Sequence, residues 1–290
     1  MIKDYRSNDQ KTPGDIEPFT KIASTRRVEP PRTLITGASR GIGLCFCHEF
    51  AKRGHPLLLV ALPEERLEQA ALAISKKYDI PVDYIGIDLT ADHAPQKVWE
   101  YCQDRGYIVD ILINNAGIGF AKRFDKMSMD KNLSMIKLNS QAMVGLAHYF
   151  LPMLLKQTHA HIFFMSSMEA TLALPYKSVY TSTKNFTYSF ALALREELKK
   201  TKVNVHVGCP GPVLTNADGL KRIEAQGRKG RLLMKTPEEV AAYTVQKMEK
   251  NTVRIVPGRL NRFLLWVARH LPISFKMSIL ERMFRCFKDH

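Results

Sequence analysis

The chain has 290 residues, with 43 Lys and Arg against 28 Asp and Glu, for a formal net charge of +15. At 45% hydrophobic and 24% charged residues, its composition is that of a globular protein and argues against a disordered one. It is long enough to bury a sizeable core without disulfide or metal staples. The cysteines Cys45, Cys47, Cys102, Cys209 and Cys286 contain no CxxC pair, so they suggest neither a disulfide framework nor a zinc site and fit a reducing compartment. The first 30 residues are charged throughout and lack the apolar run of a signal peptide. The longest uncharged run, 138–155, contains Asn139, Ser140, Gln141 and His148 and reads as a buried helix, not a membrane span.

From Arg32 onward short apolar runs alternate with helical patterns. Thr33–Thr36 predicts a strand, followed by a glycine turn and a helix to about Arg53. Pro56–Ala61 (PLLLVA) suits a strand buried on both faces. A helix over Glu64–Tyr78 follows, with Leu67, Ala70, Ala71 and Ile74 on one side. Strands are expected at Val82–Ile87 and Ile108–Ile113, with a helix near Gln96–Arg105 between them. A long helix ends near Leu155. Next come a strand at His161–Met165, a helix to about Lys200 and a strand at Val203–Val207. Thr236-Pro-Glu-Glu opens a helix to Glu249, with Thr236 as N-cap and Glu239 as its capping-box partner. Thr252–Val256 is the last strand. This alternation predicts an α/β fold: one Rossmann-type, doubly wound parallel sheet with helices on both faces. The single domain would span 32–257, between an N-terminal extension, 1–31, and a basic amphipathic segment, 258–290.

Ligands of such sheets bind beyond the carboxyl ends of the strands. At the first of these ends stands Thr36-Gly37-Ala38-Ser39-Arg40-Gly41-Ile42-Gly43. Glycines there let the backbone approach a pyrophosphate, and the following helix supplies amide donors and a favourable dipole. The GxxxGxG spacing departs from the GxGxxG fingerprint. The second strand ends Val60-Ala61-Leu62-Pro63, without the carboxylate that would accept adenosine ribose hydroxyls. Glu64 and Glu65 fall on the next helix, where acids complement its dipole. Arg40 would meet a 2′-phosphate. NADP(H) is therefore favoured over NAD(H).

Tyr180 and Lys184 stand at i and i+4 of one helix. Ser167 lies 13 residues before Tyr180, just past a strand, and Asn139 sits in the preceding long helix. The fourth strand ends Asn114-Asn115-Ala116-Gly117 and the sixth runs into Cys209-Pro210-Gly211-Pro212-Val213-Leu214-Thr215. In order and spacing this set resembles the short-chain dehydrogenase/reductase superfamily, in particular its hydroxysteroid dehydrogenase and 3-oxoacyl reductase types, over about residues 32–257. The resemblance implies an NADP-dependent oxidoreductase acting on the CH–OH or C=O group of an apolar substrate, such as a steroid-like or acyl-chain ketone. Tyr180 would be the general acid or base, its phenol lowered by the Lys184 cation. Ser167 would hold the substrate oxygen as charge develops. Asn139 would hold a water leading from Lys184 to solvent. The implied cofactor contacts are Gly37, Ser39, Arg40, Gly41, Ile42, Gly43, Asp88, Asn115, Gly117, Tyr180, Lys184, Pro210, Gly211 and Thr215. No metal is implied. NADP-preferring relatives often carry an Arg where this chain has Leu62, so Arg40 is the one frequent phosphate contact retained.

In such relatives the segment corresponding to Asn216–Lys235 covers the substrate; here it carries a net +4 and five large apolar residues. The segment 258–290 carries a net +5 among dense apolar residues, and Leu271-Pro272 should break it into two helices. It is too interrupted to cross a bilayer, and it suits either a membrane interface or packing over the pocket or a partner subunit. The resemblance also implies a homodimer or homotetramer, built on Asn139–Leu155 and the Tyr180 helix. The expected setting is cytoplasmic, with a peripheral position on a membrane surface as the alternative to a packed tail. A non-catalytic cofactor-binding scaffold or sensor is the alternative, opposed by the intact Ser167, Tyr180 and Lys184. Nucleic-acid binding, prompted by the +15, finds no zinc-finger or RNP-like motif.

Overall fold

The computed structural model describes residues 30–213 and 234–287. The elements in chain order are β1 (Arg32–Thr36), α1 (Gly41–Ala51), β2 (Leu57–Ala61), α2 (Glu65–Tyr78), β3 (Val82–Gly86), α3 (Ala94–Arg105) and β4 (Val109–Asn114). After these come α4 (Met129–Ile136), a π turn (Lys137–Ala142), α5 (Met143–Leu154), β5 (Ala160–Met165) and α6 (Ser178–Leu198). The chain continues with β6 (Val203–Gly208), α7 (Pro237–Glu249), β7 (Arg254–Ile255), α8 (Arg259–His270) and α9 (Ile273–Phe284). The strands form one sheet in the order β3-β2-β1-β4-β5-β6-β7, every neighbouring pair parallel. This is the expected doubly wound fold. The strand order reverses between β1 and β4, which opens a crevice at their carboxyl ends.

Alternation along the strands builds two cores. Leu58, Val60, Leu112 and Phe164 face α3, α5 and α6, while Leu57, Leu59, Ile113 and Phe163 face α1, α2 and α7. That is why β2 reads as an unbroken apolar run: both of its faces are covered.

The expected boundaries shift in a few places. β1 begins at Arg32, whose buried guanidinium pairs with Asp83 at 2.7 Å and lies 3.9 Å over the Tyr107 ring. β7 is reduced to two residues, because only Val207 and Gly208 of β6 pair with it. The Thr236 capping box forms as expected. The long helix is divided by the π turn that carries Asn139. The tail breaks at Leu271-Pro272 into α8 and α9, as the sequence predicts. Asn261 and Leu265 of α8 are buried against the domain. Residues 1–29, Thr215 and nearly all of the expected substrate segment lie outside the described residues.

Candidate active site

The turn after β1 is shaped by its glycines. Gly37 and Gly41 have φ of +67° and +58°, the left-handed region that side chains disfavour. A Cβ on Gly43 would sit 2.0 Å from the Gly37 carbonyl oxygen, so the turn closes on itself only with glycine there. α1 starts at Gly41 with Arg40 in an extended N-cap conformation and no side-chain cap, which leaves its first amides to another partner. The Arg40 side chain is exposed and makes no hydrogen bond or ion pair among the described residues. Ser39 and Ile42 lie on the same turn.

The neighbouring strand end is braced to this turn. Thr36 Oγ1 donates to the Ile113 carbonyl at 3.2 Å and accepts from the amides of Asn115 and Ala116, each at 3.0 Å. Asn115 Nδ2 donates to the Thr36 carbonyl at 2.9 Å. A small, uncapped, amide-rich crevice between two strand ends is what a pyrophosphate-bearing dinucleotide needs, and the residues present fit it. Asp88 lies beyond the end of β3, exposed, its Oδ1 accepting from the Thr90 amide and hydroxyl at 2.8 Å. That turn holds the carboxylate in place.

Tyr180, Lys184 and Ser167 come together. Ser167 is buried at the start of a short 3₁₀ turn, where its Oγ accepts from the Glu169 amide at 3.1 Å, and it is hydrogen-bonded to the Tyr180 phenol. Ser166 is committed elsewhere: its Oγ donates to the Lys184 carbonyl at 2.7 Å. The geometry therefore separates the two serines as the 13-residue interval did. The Tyr180 ring lies on Gly119, where a Cβ would meet ring carbons at 2.7 Å. Gly117 plays the same part for the Lys184 ammonium and Asn139, each 3.1 Å from where its Cβ would be. Pro210 ties the end of β6 to this cluster, its carbonyl accepting from the Met168 amide at 2.9 Å.

The surroundings of Tyr180, Lys184 and Asn139 bear on the roles expected of them. Burial raises the Tyr180 phenol above its ordinary value, nearby Glu169 adds to the rise, and only the Ser167 hydrogen bond opposes it. The Lys184 ammonium donates to the Met165 carbonyl at 2.9 Å and lies 5.9 Å from the Tyr180 ring centroid. Burial brings Lys184 itself down to about 8. The phenol is thus held protonated at neutral pH, the form that donates a proton. Asn139 is held at several points. Its side chain accepts from the Ile118 amide at 2.9 Å and donates to the Ile118 carbonyl at 2.8 Å and Thr183 Oγ1 at 3.0 Å. The Asn139 side chain is thus a brace between the π turn, the strand-end loop and α6.

Sequence reasoning missed three features. Gly119 shapes the Tyr180 seat, and its signal is the second glycine of Ala116-Gly-Ile-Gly119. Asn261 is wedged against the Pro210-Gly211 turn, 2.6 Å from where a Gly211 Cβ would sit, and donates to the Pro257 carbonyl at 3.0 Å. A cleft beside Tyr180 is lined by Phe120, Phe124, Met127, Met135 and Val179, with Lys122 and Lys177 also bordering it. Its residues come from three separate segments, and no local pattern marks them.

Fold and site together define a nucleotide-binding oxidoreductase of the doubly wound class. Residues 32–225 match the family model described as short chain dehydrogenase, and the chain belongs to that family, whose members bind a nicotinamide cofactor. It is 26% identical over 252 residues to the NADP-dependent 3-hydroxy acid dehydrogenase YdfG of Escherichia coli strain K12, covering 86% of this chain and 93% of that one. Among solved structures it resembles L-sorbose reductase from Gluconobacter frateurii, complexed with NADPH and L-sorbose (TM-score 0.71, 27% identity, 79% and 95% of the two chains). It also resembles a short-chain dehydrogenase/reductase from Burkholderia phymatum in complex with NAD (TM-score 0.74, 21% identity, 85% and 95% of the two chains).

Proposed function

We propose that this short-chain dehydrogenase reduces the carbonyl of an apolar ketone with NADPH, or oxidises the corresponding secondary alcohol with NADP. The observation that supports the reading is the convergence of Tyr180, Ser167 and Lys184 beside Gly117 and Gly119, at a cleft whose apolar side is Phe120, Phe124, Met127, Met135 and Val179 and whose polar side includes Lys122, Asn132 and Lys177.

The reduced nicotinamide, when bound, supplies the hydride that the carbonyl carbon takes up. Tyr180 gives its phenolic proton to the carbonyl oxygen, so one hydride and one proton convert C=O to CH–OH. Ser167 donates to the same oxygen as negative charge grows there, a contact stronger in the transition state than in the ground state. Lys184, fixed by Met165 and kept beside Gly117, holds the nicotinamide ribose and offers a cation near the phenolate left behind. The glycine turn, Asn115 and Gly117 would form the pyrophosphate and adenosine side, with Asp88 toward the adenine and Pro210 and Gly211 toward the carboxamide; Thr215, the remaining expected contact, lies outside the described residues. Asn139 acts as a positioning residue.

NADP is supported by exposed Arg40 at the head of α1 and by the absence of an acid at the Ala61-Leu62-Pro63 end of β2. The NADP dependence of the Escherichia coli relative agrees with it. The buried free thiols Cys47, Cys102 and Cys209 support a cytoplasmic setting.

The test is NADPH oxidation across steroid, acyl-thioester, retinoid and small-ketone panels. Turnover of an apolar ketone is expected, faster with NADPH than with NADH at equal low concentrations. Faster turnover with NADH would overturn the cofactor assignment, and reduction of polar ketones alone would overturn the substrate class.

A further inference from the structure

Helix α8 is docked the wrong way round for a core helix. The residues it buries are Asn261 and Leu265. Its apolar stripe, Leu260, Phe263 and Leu264 with Trp266 beside it, faces solvent at 42%, 57%, 37% and 61% exposure. Phe263 and Trp266 stack on each other at 6.2 Å, and Trp266 meets the His270 ring at 5.1 Å. Helix α9 repeats the arrangement. It buries Leu280 and anchors Glu281 on the Tyr176 hydroxyl at 3.0 Å, while Phe275, Ile279 and Met283, spaced i, i+4, i+8, are exposed. Eight of the 17 exposed large apolar residues described in the chain fall within these two helices. Scattered exposed apolar side chains are ordinary; two adjacent helices turning their apolar faces outward are not.

The charge around these stripes decides what covers them. Arg259, Arg269 and Arg282 are exposed on the same two helices, Arg285 just past α9 is paired with Glu281 at 2.7 Å, and segment 258–290 carries a net +5. A second copy packed on this face would have to bury arginines of both copies, without acidic partners of equal number, in one apolar interface. Aromatic and aliphatic side chains bordered by arginines instead match an interface that is apolar below and anionic above. Among the described residues no helix is long and apolar enough to cross a membrane, so the contact would lie in the plane of the surface. We infer that the outward faces of α8 and α9 form a peripheral docking surface for a bilayer bearing anionic headgroups. Tyr176, which holds Glu281, also lines the cleft beside Tyr180, so the lipid contact would adjoin the substrate side of the site.

The inference is independent of the proposed reaction, because its readout is binding. Full-length protein is sedimented with phosphatidylcholine vesicles and with vesicles containing about 30% phosphatidylglycerol, at low salt and at about 0.5 M NaCl, where screening is short-ranged. Binding to the anionic vesicles alone, weakened by salt, is expected. Each of Arg259→Gln, Arg269→Gln and Arg282→Gln should lower the partition coefficient about fivefold. Phe263→Asp with Trp266→Glu should abolish binding without loss of the folded signal by circular dichroism. In a Trp99→Phe background, Trp266 emission should shift to the blue on binding. Three results would each overturn the inference. The protein could stay in the supernatant with every vesicle. It could be a dimer that the Phe263→Asp, Trp266→Glu variant dissociates. Or Trp266 could be shielded from iodide without lipid, which would mean that another part of the chain covers the face.

Discussion

In α1 the apolar residues Phe46, Cys47 and Phe50 face the sheet and are buried; in α8 Leu260, Phe263 and Leu264 face solvent and a polar residue, Asn261, is buried. α1 is apolar over most of its surface, whereas α8 has a sharply amphipathic pattern. α1 uses its apolar residues to build the core and bring the glycine turn to the crevice. α8 is held by a few inward contacts and leaves its apolar side unused by the fold. An apolar stripe therefore records that something will be covered, and only the docking contacts show whether the protein itself covers it.

Substitutions can break that contrast from either end. The largest effect is expected at Gly43→Ala, whose Cβ has no space before the Gly37 carbonyl. Overpacking of this kind costs about 1–3 kcal/mol. Located in the turn, it should lower NADPH affinity about 10- to 100-fold by titration calorimetry.

A second effect lies in the sheet below the site. His206, fully buried on β6, donates from Nδ1 to the Thr252 carbonyl at 2.8 Å, so its Nε2 must accept from His161 Nδ1 at 3.0 Å. Burial depresses His206 to about 4 and His161 in the same direction. Between the ordinary value of about 6.5 and about 4 the unfolded chain binds more protons, so stability is complete above that window and falls as pH drops through it. The slope is about 1.4 kcal/mol per pH unit for each histidine. Denaturant unfolding from pH 7 to pH 4.5 should show the loss, and His206→Gln should flatten it.

Lys184 gives a smaller signal of opposite direction in pH. Its ammonium, lowered to about 8 by burial, is charged below that value and neutral above it. The second-order rate constant kcat/KM for NADPH, which reports the enzyme before the cofactor binds, should be flat at neutral pH and fall about tenfold per unit above pH 8. The smallest effect is expected in the tail. Phe263→Asp with Trp266→Glu removes nothing the fold uses, so unfolding free energy should change by about 0.5 kcal/mol or less. Turnover of a water-soluble ketone should stay at the wild-type rate.

The same contrast explains what was legible in the sequence. The sheet could be read because β2, β4 and β5 are covered on both faces and appear as continuous apolar runs. The site could be read because Gly37–Gly43, Asn115, Ser167 and Tyr180 stand at strand ends or at fixed helical spacing. What escaped depends on contacts between distant segments. The π turn at Asn139 follows from three side-chain bonds to Ile118 and Thr183, and the Lys184–Met165 bond crosses from α6 to β5. Gly119 beneath Tyr180 and Asn261 against Gly211 are close approaches between segments about 50 or more residues apart. The orientation of α8 escaped for the same reason, since Asn261 and Leu265 set it through partners outside the helix.

The central claim is that Tyr180 is the proton donor in an NADPH-dependent carbonyl reduction. Its most direct test is Tyr180→Phe, measured for NADPH binding by fluorescence and for turnover of the best apolar ketone. The account predicts unchanged binding and a fall in kcat of about 100-fold or more. Near-normal turnover with NADPH still bound would contradict it.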